Sequence, residues 1–336
     1  MVSTSSAPIF IGGPDRCGKT LVAALLGSHS RIAISAVGSN LWPLFYRQFG
    51  DLNDEANADR CIAALMAYKH VRFMEPDPEA LCAEFLAGPR TYGRLFALVQ
   101  EQHARRQEKP RWGDQTGLVE RFADEIFEAY PGVRFIHMVR DPRDRYEASL
   151  QMWPEGRLRA GGAAGRWLLS TRLAARNLRR HGEAYLVLRY EDLVRQPEAT
   201  VRRLAAFVGE AFEPAMMELG AMPSYRAKLE ASADSRPTSG DRAASPLITP
   251  DFIGTYRGKV PLPELAFLQR VAGTEMRSHG YAPDPIGMPP AERWRYRLVD
   301  LPMNLARMLV WRVREGIAHR APRWLGRRPR AGMTAE

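Results

Sequence analysis

The stretch Pro8–His29 constrains this 336-residue chain more than any other. Ile9, Phe10 and Ile11 read as a short buried strand, Gly12–Gly18 as a turn-rich loop, and Thr20–Leu26 as a helix with an apolar face. Within it Gly13-x4-Gly18-Lys19-Thr20 satisfies the P-loop pattern. Glycines in such a loop let successive backbone N–H groups converge on an anion, and the helix N-terminus adds the positive end of its dipole. A glycine-rich βα turn without a ligand is the plain alternative; the strand–loop–helix order of the flanks favours a phosphate cradle.

The remaining pattern is that of an α/β protein. Ile32–Ile34, Val133–Val139 and Tyr185–Tyr190 read as further buried strands, and Arg111–Thr116 as a brief strand or loop. Helical spacing dominates residues 40–109, expected to form a cap beside the sheet, and recurs in Leu118–Tyr130, Arg166–His181, Glu198–Val208 and Leu262–Gly280. Trp153–Gly165 is rich in glycine and arginine and reads as a flexible loop, and Ser224–Pro250 as a disordered linker or, given its place inside the globular part, a long functional lid. Hydrophobic and charged contents of 45% and 26% are those of a folded protein. With no basic n-region, no long apolar run, and three cysteines (Cys17, Cys61, Cys82) lacking metal spacing, the chain is expected to be cytoplasmic and without disulfides or bound metal. Cys17 lies in the loop itself, where a positive field would favour reactivity and a small-residue role is the alternative.

In open parallel sheets the ligand sits at the carboxyl ends of the strands. Arg140 follows Val139 directly, with Asp141 suited to cap the next helix and Pro142 to its first turn, which leaves the guanidinium as a bidentate phosphate clamp. A salt bridge of Arg140 to Asp144 or Glu147 is the competing reading. His137, inside the apolar strand, reads as a satisfied core histidine. Tyr190-Glu191-Asp192-Leu193 marks a second strand tip.

Arg16-Cys17-Gly18-Lys19-Thr20, Val139-Arg140-Asp141-Pro142-Arg143-Asp144 and Arg189-Tyr190-Glu191-Asp192-Leu193, in this order, resemble the sulfotransferases that use 3′-phosphoadenosine 5′-phosphosulfate (PAPS). Tyr256-Arg257-Gly258-Lys259-Val260-Pro261 and Gly280-Tyr281 look like the C-terminal part of tyrosylprotein- and carbohydrate-type and related bacterial members. The resemblance implies a P-loop NTPase-like three-layer α/β fold with a central parallel sheet, over residues 1–285. Residues 36–111 would be a helical acceptor-side insertion, and 286–336 a basic amphipathic C-terminal arm. It implies that Gly13, Asp15, Arg16, Cys17, Gly18, Lys19 and Thr20 hold the 5′-phosphosulfate and Arg140 and Ser149 the 3′-phosphate. Tyr190 and the Asp241–Leu247 loop, with Ser245 and Leu247, would wrap the nucleotide, with no metal.

Three departures from the family stand out. The serine usual eight residues after the strand-tip arginine is Ala148 here, with Ser149 one further on. A lysine common before Thr-Pro is Gln115, in Asp114-Gln115-Thr116-Gly117. Where members with a glutamate base carry it, this chain reads Ala36-Val37-Gly38-Ser39.

Sulfuryl transfer then places Arg16 and Lys19 at the charge growing on the leaving oxygen. Asp114 is the general-base candidate for an acceptor hydroxyl or amine, against a plain helix-capping role. The rival class is a P-loop kinase or nucleotide phosphotransferase, favoured by Lys19 but in need of Mg²⁺ and a strand-end acid. A non-catalytic nucleotide-binding protein is a third class. Residues 36–111 and 153–165 are expected to form the pocket for a small-molecule, glycan or lipid acceptor.

Most of the formal +10 charge belongs to the tail, where residues 291–330 hold eleven arginines against three acids, a net +8. Trp294, Trp311 and Trp324 with Leu298, Leu301, Leu305 and Leu309 make it amphipathic and suit a peripheral membrane contact. A helical arm packed on the domain, or on the partner of a homodimer, is the alternative. No recognition module points to specific nucleic-acid binding.

Overall fold

The structure, a computed structural model, describes residues 7–152, 159–218, 222 and 248–320. Five strands form one parallel sheet: β1 Ile9–Gly12, β2 Ile32–Ile34, β3 Arg111–Gln115, β4 Arg134–Val139 and β5 Tyr185–Arg189, in the order β2-β3-β1-β4-β5. Pairing of Phe10 with Asp114 on one side and with Phe135 on the other fixes the register at the centre. The chain leaves β1 toward one edge and later returns to its other side as β4. The switch point therefore lies between β1 and β4, where ligands of open α/β sheets bind.

Both sheet faces are apolar, as parallel strands require. Ile9, Ile11, Ile136, Met138 and Leu188 face α1 (Lys19–Gly27), α10 (Tyr190–Arg195) and α11 (Pro197–Val208). Phe10, Ala33, Trp112, Phe135 and Tyr185 face the opposite layer. There Phe10 stacks on Phe135 and Tyr130, pairs worth about 0.5–1.5 kcal/mol each beyond their buried area.

The helices of residues 41–106, from α2 (Leu41–Phe45) through α3 (Glu55–Ala67), α4 (Lys69–Arg72) and α5 (Pro78–Leu86) to α6 (Tyr92–Arg106), supply that layer. They share one core with the strands and are structurally a sheet face, not only a cap. A tight helical turn, Val119–Phe122, and α7 (Ala123–Ala129) close it.

After β4 come α8 (Pro142–Met152) and α9 (Arg159–His181). Helix thus begins at Arg159, although the glycines of residues 159–165 read in sequence as a loop. The glycines serve helix packing. A Cβ on Gly161 would lie 2.2 Å from the carbonyl of Asn304, and one on Gly165 2.6 Å from the Trp311 ring. Asn304 and Trp311 belong to α14 (Leu301–Arg320), which follows α12 (Leu262–Ser278), α13 (Pro290–Arg295) and the wide turn Tyr296–Asp300. The tail is therefore joined to the main body along α9 as far as it is described. Trp324 and residues 224–247 of the expected lid lie outside the described residues.

Candidate active site

The loop after β1 is shaped by its own glycines and by what lies beneath it. Gly13 has φ +118°, and a Cβ there would lie 2.3 Å from the Met138 carbonyl of β4. Gly18, at φ +92°, serves as N-cap of α1 and would set a Cβ 2.8 Å from the Tyr190 ring. Only glycine tolerates both the left-handed backbone and these approaches. No side chain caps α1, so its first amides point into the loop.

Arg16 also sits at positive φ, +62°, which turns its carbonyl toward β4. Arg140, buried at the tip of β4, donates from Nη1 to that carbonyl at 3.1 Å and from Nη2 to the Phe252 carbonyl at 2.8 Å. Its guanidinium lies over the Tyr190 ring, 4.6 Å from the centroid. The competing salt bridge does not form: Asp144 accepts from the amides of Gly254 (2.8 Å) and Tyr256 (3.1 Å), and Glu147 from Thr255. As expected from its place, Asp141 caps α8, accepting from the Arg143 amide at 2.9 Å.

Burial and the neighbouring Arg140 both lower the pKa of Arg16. The Nε atoms of Arg16 and Arg140 are buried and without a partner among the described residues. Two guanidiniums with unspent donors thus stand beside the glycine loop, an arrangement able to take an anion.

Asp15 has the opposite surroundings. Burial alone would raise its pKa, but Arg145 at 2.7 Å, Arg166 at 3.0 Å and Lys19 hold the carboxyl well below the usual range. Ser149 Oγ reaches Asp15 at 3.4 Å while donating to the Arg145 carbonyl at 2.8 Å, so position 149 does come to the loop. Thr20 Oγ1 donates to Gln115 Oε1 at 3.4 Å. Lys19 Nζ donates to the carbonyls of Gly13 (3.0 Å) and Pro14 (2.5 Å), and it passes Gly117 on the β3 side. The Cys17 thiol donates to the Pro14 carbonyl at 2.7 Å, and burial pushes its pKa up. Burial outweighs the positive field there, so Cys17 is a packed thiol and not a reactive one.

Asp114 does not stand where an acceptor could use it. Its carboxylate is 3% exposed and accepts from Ser39 Oγ (2.6 Å), the Ser39 amide (3.3 Å) and Thr116 Oγ1 (3.3 Å). Burial raises its pKa, yet no oxygen is left open to an incoming hydroxyl. The general-base expectation is corrected on this geometry: Asp114 anchors the turn after β2. That turn carries Asn40, whose Nδ2 lies 3.0 Å from Tyr68 OH and 3.1 Å from His70 Nδ1. The expected nucleotide contacts Ser245 and Leu247, with the Asp241–Leu247 loop, lie outside the described residues.

Sequence reasoning missed Glu120. From the turn after β3 its Oε2 accepts the Gly13 amide at 3.0 Å, while Oε1 accepts from Ser170 Oγ. Ser170 contacts His137 Nε2 at 3.1 Å, and His137 Nδ1 meets Tyr185 OH at 2.7 Å. Burial lowers the His137 pKa to about 4, so it is the neutral core histidine that its strand position implied. Glu120→Ala would leave the Gly13 amide unpaired in a dry site, at about 1–3 kcal/mol, and Ser170 with His137 alone. We expect Tm and nucleotide affinity to fall together, by calorimetry and titration, with Glu120→Gln losing much less.

A model of the Sulfotransferase family matches residues 8–214. Among solved structures, the sulfotransferase domain of the Synechococcus PCC 7002 olefin synthase superposes with a TM-score of 0.53 at 20% identity, covering 84% of this chain and 96% of that one. The sulfotransferase domain from the curacin biosynthetic pathway gives 0.52 at 18% identity, covering 83% and 99%. At these identities the likeness concerns the fold. Among curated proteins no match was found.

Proposed function

Because the chain belongs to the sulfotransferase family, we propose that it moves a sulfuryl group from PAPS to a hydroxyl or amine of an acceptor, as a cytoplasmic enzyme whose basic tail meets a membrane surface. The observation that carries the PAPS reading is the pair of half-buried Arg16 and buried Arg140, each with a buried, unspent Nε, on either side of the switch point. Such a pair fits a ligand bearing two separated anionic groups. When bound, PAPS supplies the activated sulfuryl group and leaves as 3′,5′-adenosine bisphosphate.

The chain's own residues then have distinct tasks. The α1 amides and Gly13–Gly18 bind the 5′ side, and Lys19 and Arg16 offset charge on the departing oxygen. Arg140 holds the 3′-phosphate, with Tyr190 as the platform that fixes its guanidinium. Asp15, with Arg145 and Arg166, keeps the loop's outer turn rigid, and Ser149 adds a hydroxyl there. Free cysteines at positions 17, 61 and 82 support a reducing compartment. A small-molecule, glycan or lipid acceptor fits the helices of residues 36–111.

The kinase reading has little support from the acids near the loop. Glu120 spends its oxygens on Gly13 and Ser170, and Asp141 spends its own on Arg143. Titration decides between the classes. 3′,5′-Adenosine bisphosphate should bind in the presence of EDTA, whereas preferential Mg²⁺-dependent ATP binding would sink the proposal. Tight nucleotide binding with no labelled-sulfuryl transfer into a broad acceptor panel would favour a binding protein instead.

For deprotonation of the acceptor we assign His70. His29, His103 and His137 are buried, His181 stacks on Phe127, and His279 packs by Trp167, all away from the β2–β3 tips. His70 alone among the described imidazoles lies at those tips, partly buried against Asn40. His70→Gln should lower single-turnover transfer of labelled sulfuryl with bisphosphate affinity kept, while Asp114→Asn should keep transfer and lower Tm. The reverse pattern would return the role to Asp114.

A further inference from the structure

α14 presents two unlike faces. At 100° per residue, Asn304, Met308, Trp311 and Glu315 fall together against α9. There Asn304 Oδ1 accepts the Gly161 amide at 3.2 Å, and both Asn304 and Trp311 are buried. Opposite them lie Met303, Leu305, Leu309, Val310, Val313 and Ile317, between 39% and 61% exposed. On the same projection these six share an arc of about 160° with Pro302, Ala306 and Gly316, and within residues 301–317 that arc holds no polar or charged side chain. Arg312 borders it on one edge, and Arg307 and Arg314 on the other. Trp294 and Leu298, 62% and 70% exposed, extend the apolar surface toward the N-terminal end.

A folded protein that leaves so continuous an apolar face uncovered uses it for contact. We infer that this face docks in the plane of an anionic bilayer, its apolar side chains at the headgroup–acyl boundary and its rim arginines reaching lipid phosphates. This deepens the membrane contact proposed for the tail and does not rest on the sulfuryl-transfer reading.

Charge selects the occupant. Self-association through this face would press together two copies of a segment carrying a net +8, whereas anionic lipids neutralise it. No helix among the described residues is long and apolar enough to cross a membrane. The sequence pattern puts all three tryptophans in the membrane contact. The structure removes Trp311 from it: that ring is the underside of the arm, 6.0 Å from the Arg166 guanidinium, which pairs with Asp15 of the loop. Two side-chain contacts thus separate the docking helix from the phosphate loop.

The full-length chain should co-sediment with phosphatidylcholine vesicles containing phosphatidylglycerol, bind pure phosphatidylcholine at least tenfold more weakly, and be released by raised salt. Leu309→Asp with Val313→Asp should weaken binding at least tenfold, with 3′,5′-adenosine bisphosphate affinity unchanged as proof of an intact fold. Arg312→Gln with Arg314→Gln should reduce the salt dependence while keeping residual apolar binding. Equal partition into both vesicle types, or binding indifferent to the aspartate pair, would overturn the proposal. So would a dimer in sedimentation velocity that the aspartate pair dissociates without lipid, which would assign the face to a second copy.

Discussion

Lys19→Ala is expected to lower kcat for sulfuryl transfer by two to three orders of magnitude, about 2.7–4 kcal/mol, with the fold intact. The ammonium is a point charge at the loop, held among the described residues by the carbonyls of Gly13 and Pro14 and a weak contact to Cys17 Sγ at 3.8 Å, with Asp15 nearby. Gly13 and Pro14 are buried while Lys19 is half-buried, so water entering in place of the ammonium should hold the loss of stability to about 1–2 kcal/mol. Removing Lys19 also takes one cation from Asp15, but the effects of Arg145 and Arg166 on that carboxyl both exceed that of Lys19. Asp15 therefore stays ionised and the loop keeps its outer turn. Lys19→Arg should rescue poorly, because a planar fork does not reproduce a compact charge held between two carbonyls. Single-turnover transfer of labelled sulfuryl, with bisphosphate titration alongside, separates the chemical step from binding. Retained turnover would mean that the loop has another job.

The loop and Arg140 were legible because each follows an apolar run directly, and Tyr190 because it comes one residue after Leu186-Val187-Leu188; a residue at a strand tip is placed by sequence alone. Four of the five strands were legible for the same reason, since parallel strands buried on both faces are short, mostly apolar runs; β3, Arg-Trp-Gly-Asp-Gln, carries no such run and read as strand or loop. What failed depended on distant partners. Gly161 and Gly165 look like loop residues until α14 lies against them. Asp114 looks like an exposed acid until Ser39, 75 residues earlier, covers it. Glu120 carries no local mark at all, because its function is an amide 107 residues away. Cys17 shows the opposing terms most simply: its cationic neighbour was visible in sequence, its burial was not, and burial is the larger effect.

The same logic separates what Arg140 does for the fold from what it does for the ligand. Arg140→Ala removes two charge-assisted bonds to carbonyls and a guanidinium over Tyr190, terms of roughly 1–3 kcal/mol each in isolation. Against that loss, Arg16 is relieved of a buried like charge that contributes to its lowered pKa. These terms oppose one another, so the net change in stability should be modest, about 1–2 kcal/mol by Tm. Ligand affinity has no such compensation. A bidentate arginine–phosphate contact is worth about 2.7 kcal/mol, so the variant should bind 3′,5′-adenosine bisphosphate about a hundredfold more weakly. Adenosine 5′-monophosphate lacks the 3′ group and should bind wild type and variant alike. The wild-type preference for the bisphosphate therefore collapses toward unity in Arg140→Ala and is recovered in part by Arg140→Lys, which keeps the charge without the fork. Equal losses for both nucleotides would place Arg140 at the 5′ end of the site or in the scaffold, and the assignment of the two phosphates would have to be exchanged.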